Sequence, residues 1–223
     1  DNIIIRRADG TPFNVHPDIF SDKDRKYLDE LRARSAVGKT FVKTFTVPGL
    51  EMAMLWCKPG TFWIGSPKSE KGRDLGWEAQ RAVTLTQGFY LGKYEVTQAQ
   101  YEAVMTGNSN SLSATPSEWP NNPNRPVEKV SWDDVQIFLT RLNAAEQAAG
   151  RLPAGWSYVL PTEAQWEYAC RAGTATVFSW GDTATSTQAN FKGTNPYGGA
   201  ATGPDLAQTT DVGSYGANPW GFF

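Results

Sequence analysis

The chain has 223 residues, enough to bury one large core or a core plus a small appendage, and too few for two full domains. Its 21 basic and 23 acidic residues leave a formal charge of -2, so it offers no field to collect nucleic acid or an anionic membrane surface. The longest uninterrupted apolar run, Met52 to Cys57, is far below the roughly 20 residues a membrane-spanning helix needs.

Residues 1–34 read as a unit. NIIIRRADGTPFNV is an apolar run, an Asp9-Gly10 turn and a second alternating run, which predicts a hairpin. Ser21 with Asp24 then predicts a capped helix carrying Tyr27, Leu28 and Leu31. Residues 35–49 alternate through KTFVKTFTV to Pro48-Gly49 and read as a linker strand into a main domain that starts near Leu50. There EMAMLWCKPGTFWIGS places two apolar runs around Lys58-Pro59-Gly60, predicting strand, turn, strand. RAVTLTQGFYLGKYEVT is strand-like, with Val83, Leu85, Phe89, Leu91, Tyr94 and Val96 alternating.

Three helices share one start chemistry. Thr97 with Gln100, Ser131 with Asp134, and Thr162 with Gln165 each set a hydroxyl three residues before a side chain that can reach back. In the second, Val135, Phe138, Leu139, Leu142 and Ala145 predict one apolar face. In the third, Trp166, Ala169 and Cys170 share a face expected to be buried, and Glu163 and Glu167 share another expected to be solvated or salt-bridged. Gly173 to Phe223 shows no period; stretches of that length in compact domains are usually functional or metal-stabilised.

Nine Trp, eight Tyr and eleven Phe beside 21 Gly and 14 Pro fit a loop-rich fold, because large rings bury area from few positions. His16 is the one histidine, which leaves Ser-His or Cys-His catalysis and histidine metal sites poorly supported. Cys57 and Cys170 read as ordinary buried thiols, with pairing to each other or to an outside cysteine as the alternative. The chain begins at Asp1 rather than Met, so a translational start upstream is expected, with any signal peptide already removed; an exported, periplasmic or extracellular, setting is consistent with that.

GTFWIGS (Gly60 to Ser66), YEVTQAQYEAVM (Tyr94 to Met105), RPVEKVSWDDV (Arg125 to Val135), LPTEAQWEYACRAGT (Leu160 to Thr174) and WGD (Trp180 to Asp182), in that order, resemble the formylglycine-generating enzyme family, the sulfatase-modifying factors, over about residues 50–223. Residues 1–34 also resemble the end of a Sla1 homology domain 1 module, an SH3-like barrel found ahead of other domains in some bacterial proteins. The first resemblance implies an irregular α+β fold, a loop-rich variant of the C-type-lectin fold, often with bound calcium. It implies a calcium ion held by the Asn190 side chain, the Phe191 carbonyl, the Asp205 side chain and the carbonyl of Leu206 or Ala207. The alternative leaves Asn190 and Asp205 as turn residues bonding their own backbones.

The founding activity of that family is aerobic oxidation of a sulfatase cysteine to formylglycine, using copper held by two cysteine thiolates. Those cysteines follow a GNxWEW-type motif, and this chain stops at NPWGFF, so the pair is expected beyond Phe223; neither Cys57 nor Cys170 stands at its positions. The oxidases also resemble one another in a long insertion where this chain has the short, polar Thr106 to Asn124. The expectation is therefore a non-catalytic module binding a protein or peptide. A copper oxidase completed beyond Phe223 is the second reading, and a sensor or recruitment module of a larger protein the third.

Overall fold

The computed structural model describes the backbone of Ile3–Arg6 and Pro12–Val15, and residues 44–223 other than Leu75. Asp1–Val42 and Lys43–Phe223 are separate compact units. In the first, β1 (Ile3–Arg6) pairs antiparallel with β2 (Pro12–Val15), from Ile3 opposite Val15 to Arg6 opposite Pro12. The helix expected after Ser21 lies outside the described residues.

The second unit is a small, mixed, loop-rich α/β structure. Strands β3 (Thr44–Val47), β4 (Met52–Cys57) and β7 (Phe89–Gly92) form an antiparallel sheet in the order β3-β4-β7, and β5 (Gly60–Ile64) pairs with β6 (Arg81–Leu85). Within residues 35–49, Thr44–Val47 is thus a sheet edge, with Val47 wholly buried. The two runs flanking Lys58-Pro59-Gly60 are strands, but they are not partners: Cys57 stands opposite Phe89, and Gly60 opposite Leu85. Pro59 fixes its φ and brings no N–H donor, and the chain leaves one sheet for the other there.

Helices α1 (Gln98–Met105), α2 (Trp132–Ala148) and α3 (Glu163–Arg171) each begin with a complete capping box, on Thr97, Ser131 and Thr162. In each, the cap hydroxyl accepts from the third helical N–H while the Gln or Asp there accepts from the cap N–H. Tyr101 and Met105 of α1 meet Phe138 and Leu142 of α2 over Val47, Met52 and Met54, and the Tyr101 and Phe138 rings stack at 5.5 Å.

The buried stripe of α2 departs from expectation at its end. Ala145 is exposed and Glu146, one turn after Leu142, is buried. A buried carboxylate needs a partner, and Arg151 supplies one through a two-pronged contact, Nη2 to Oε1 at 2.6 Å and Nε to Oε2 at 3.0 Å. That fork folds the chain back after Gly150 and sends it along α2, where Asn143 Nδ2 donates to the Tyr158 carbonyl and its Oδ1 accepts from the Tyr158 N–H, both at 2.8 Å.

This packing ranks two substitutions. Leu142→Ala should destabilise the protein by about 2 to 5 kcal/mol, the range for a buried leucine, whereas Thr162→Ala should cost about 1 kcal/mol, the value of one cap. Urea denaturation of both variants checks the order.

Candidate functional site

From Gly173 to Phe223 no helix or strand forms, and side-chain amides do the fastening. Asn218 is the clearest case. Its Nδ2 donates to the carbonyls of Ala169 (2.8 Å) and Cys170 (3.2 Å) at the end of α3, and its Oδ1 accepts from the N–H groups of Trp220 (3.0 Å) and Phe222 (3.1 Å). The turn so made drops Phe222 against Cys57 and Ala169. Gly221 sits in it at a φ of 91°, open to glycine and rare for other residues. Asn218-Pro219 is a turn-initiating pair visible in the sequence, though its grip on α3 is not.

This turn, α3 and the chain before α3 bound an apolar groove of about 560 Å³. Its rim carries Val159, Leu160, Trp166, Trp180 and Phe223, each between 41% and 67% exposed. Cys170 lines it one turn after Trp166. Here the expected burial of the Trp166, Ala169 and Cys170 face is corrected: Ala169 is buried at 1% exposure, while Trp166 and Cys170 are exposed. A nine-residue helix meets the core along Tyr168 and Ala169, which leaves the Trp166–Cys170 stripe toward the groove. Glu167, on the opposite stripe, accepts from the Gly65 N–H at 2.8 Å and from Arg171 at 2.7 Å, so its expected salt bridge is present.

The strand aromatics divide as well. Trp56 packs on Tyr90 at 4.9 Å and Phe62 on Tyr168 at 5.1 Å, whereas Trp63 points out at 60% exposure.

Both thiols are free. Burial pushes the Cys57 thiol up to about 12. Partial shelter also raises Cys170, against the opposing pull of the Arg171 charge. Neither is a thiolate near neutral pH, and the thiolate is the form that binds copper or attacks a substrate.

The four residues implied as calcium ligands lie on two apposed loops. Gly203 N–H donates to Gly193 O at 2.8 Å, and Asn190 Nδ2 donates to Gln208 O at 2.8 Å, joining 190–193 to 203–208. The approach is close enough that a Cβ on Gly193 would collide with the carbonyls of Gly203 and Pro204. Asp205 Oδ1 accepts from the Ala207 N–H at 3.3 Å, the bond the turn alternative requires, and Ala207 is left-handed at a φ of 51°. The bond from Asn190 Nδ2 leaves Oδ1 as that side chain's acceptor for a cation, and the Phe191 and Ala207 carbonyls accept no hydrogen bond from the described residues. Beside these loops the hydroxyls of Ser186 and Thr209 are buried without a partner among the described residues. Such a set of oxygens suits calcium. Among the described residues no three His, Cys, Asp or Glu side chains gather as a metal cluster, so an ion here would add amide and carbonyl oxygens to the single Asp205 carboxylate.

Known proteins extend this picture. Residues 40–223 match the sulfatase-modifying factor enzyme 1-like domain family. The chain is 26% identical to the formylglycine-generating enzyme of Mus musculus over 201 residues, which span 66% of this chain and 50% of that protein. It is 29% identical to the chaperone protein LppX of Paenibacillus barcinonensis over 120 residues, 43% of this chain and 40% of the relative. It therefore spans about half or less of these relatives. PvdO of Pseudomonas aeruginosa superposes with a TM-score of 0.65 at 22% identity, over 81% of this chain and 69% of its own, which shows a shared fold.

The thiols give a test. A thiol reagent should label Cys170 in the folded protein and Cys57 only after unfolding. Because Cys57 titrates near 9 when unfolded and near 12 when folded, the unfolded state loses its proton first, and stability should fall as pH rises from about 9 to 12. Cys57→Ala should lessen that fall, measured by urea denaturation against pH.

Proposed function

Because the chain belongs to the family of sulfatase-modifying factor enzyme 1-like domains, we propose that it is a non-catalytic module that binds a protein or peptide in the groove beside α3. The groove is the observation that carries this reading. Its rim exposes three aromatic rings and two aliphatic side chains around a deep apolar floor, and such concave apolar surfaces are where side chains of a partner gain most by leaving water. Glu95, Ser179 and Cys170 are among the polar groups lining it that would orient a ligand. A relative bearing the name of a chaperone is consistent with a polypeptide partner. Among the described residues no helix is long and apolar enough to cross a membrane.

The same reading takes the loop-rich fold as a variant of the C-type-lectin fold. It places a structural calcium ion on Asn190 Oδ1, the Phe191 carbonyl, the Asp205 carboxylate and the Ala207 carbonyl. The ion would hold two loops that have few backbone hydrogen bonds between them. Service as a sensor or recruitment part of a larger protein is compatible with this role.

The likeness to a formylglycine-generating enzyme supports a second reading, a copper-dependent oxidase of sulfatase cysteines. Copper(I) needs two soft thiolates. Cys57 is buried in β4 and Cys170 faces the groove on α3, so the pair would have to come from outside these 223 residues. Titration of the full-length protein with copper(I) against a colorimetric chelator separates the two: binding near one equivalent favours the oxidase.

For the groove, an immobilised library of peptides with aliphatic and aromatic side chains should yield binders. Trp166→Ala and Leu160→Asp, both at exposed positions, should weaken them at least tenfold, about 1.4 kcal/mol, with an unchanged circular dichroism spectrum. Equal binding by both variants would sink the groove assignment.

For the ion, calcium should raise the melting temperature of the wild type, as ligands of the folded state do, and chelator should reverse the rise. Asp205→Ala should abolish that response. An equal loss of stability with and without chelator would mark Asp205 as a plain turn residue.

A further inference from the structure

The two candidate sites share a wall. Glu95, Trp180, Gly216 and Phe223 line the apolar groove on one side and, on the other, a smaller pocket of about 370 Å³ that also holds Asn190, Thr209 and Asp211. We infer that a divalent cation between the 190–193 and 203–208 loops regulates the groove, because both ends of the ion-binding segment form that wall. This inference rests on the cation and groove readings above.

The first end is Trp180. Its ring stacks on Phe178 at 5.2 Å, and Phe178 meets Tyr197 edge-on at 5.4 Å. Tyr197 N–H donates to the Ala184 carbonyl at 3.1 Å and Trp180 Nε1 donates to the Thr183 carbonyl at 2.9 Å. These rings and hydrogen bonds tie Phe178 and Trp180 to Ala184 and Tyr197, and Asn190 and Phe191 lie on the loop that the Ala184–Tyr197 pairing closes. The second end is Gly216. Gln208, held by Asn190, is also held by Arg125 Nη1 at 3.4 Å; Val212 N–H then donates to the Asn124 carbonyl at 2.9 Å before the chain reaches Gly216 and Asn218 in the groove.

An ion joining the two loops would fix both ends together. Loops without helix or strand lose much freedom on ordering. A cation that has already ordered them leaves less for a groove ligand to order, so the two ligands bind with positive cooperativity. Linkage makes the effect reciprocal: each ligand tightens the other by the same factor.

The experiment measures calcium affinity by calorimetry and groove affinity with the neutral dye Nile red, whose lack of charge removes direct attraction to the ion. Trp166→Ala identifies the groove-bound fraction of dye. Saturating calcium should tighten that fraction at least threefold, and saturating dye should tighten calcium equally. Phe178→Leu cuts the link from Trp180 to Tyr197 while touching none of the four cation-binding groups, so it should keep calcium binding and lose the coupling. Calcium binding with unchanged dye affinity would overturn the inference and leave the cation reading standing. Absence of calcium binding would overturn both. Dye binding indifferent to Trp166→Ala would overturn the groove reading and the coupling with it.

Discussion

One side chain fastens the end of fifty aperiodic residues to the helix beside them. Asn218 spends both donors on the last carbonyls of α3 and accepts two backbone N–H groups of its own turn. Helix ends carry carbonyls with no intrahelical partner, and a turn carries N–H groups with none. A primary amide, with two donors and two acceptor sites, can serve both at once. Carboxylate and hydroxyl side chains lack that set. Through this bridge Phe222 joins Cys57 and Ala169 in the core, Phe223 packs on Tyr94 at 4.9 Å, and Trp220 meets Tyr168 edge-on at 4.9 Å. The groove wall follows from those placements.

The rest of the unit shows why such bridges are needed. Its sheets have three and two strands and its described helices run to at most 17 residues, so regular ladders satisfy a minor share of the backbone. Amides and ring pairs supply the remainder. Asn143 joins α2 to Tyr158, Asn108 closes its own loop on Leu112, and Asn190 joins the two candidate ion loops. A structure held this way leaves large rings partly uncovered between its bridges, and the groove beside α3 is one such place. Stability and a sticky surface therefore have one origin, which is the physical basis for reading the protein as a binder.

Much of this was legible in the sequence. The three helix starts were, because a capping box is local chemistry spanning four residues, and Thr97, Ser131 and Thr162 each carry it. The strands were legible from alternation, but their partners were not: nothing near Pro59 says that β4 and β5 belong to different sheets. Periodicity misjudged Ala145, because the pattern cannot see that Arg151 makes burial of Glu146 tolerable. It misjudged Trp166 and Cys170 for a related reason. A short amphipathic helix has two apolar stripes here, and which one meets the core depends on Phe222, fifty-two residues after Cys170 in sequence and adjacent to α3 only through Asn218. The candidate ion residues were named from a resemblance; what the fold adds is that Asn190 and Asp205 stand on loops bonded side by side.

The Asn218 amide builds the turn behind the groove. Residue-resolved hydrogen exchange of the Trp220 and Phe222 amides, in the wild type and in Asn218→Ala, tests it most directly. Both amides should be protected in the wild type and exchange at close to unprotected rates in the variant, while amides in the middle of α2 keep their protection. Retained protection at Trp220 and Phe222 would contradict the account, since other contacts would then suffice to hold the turn.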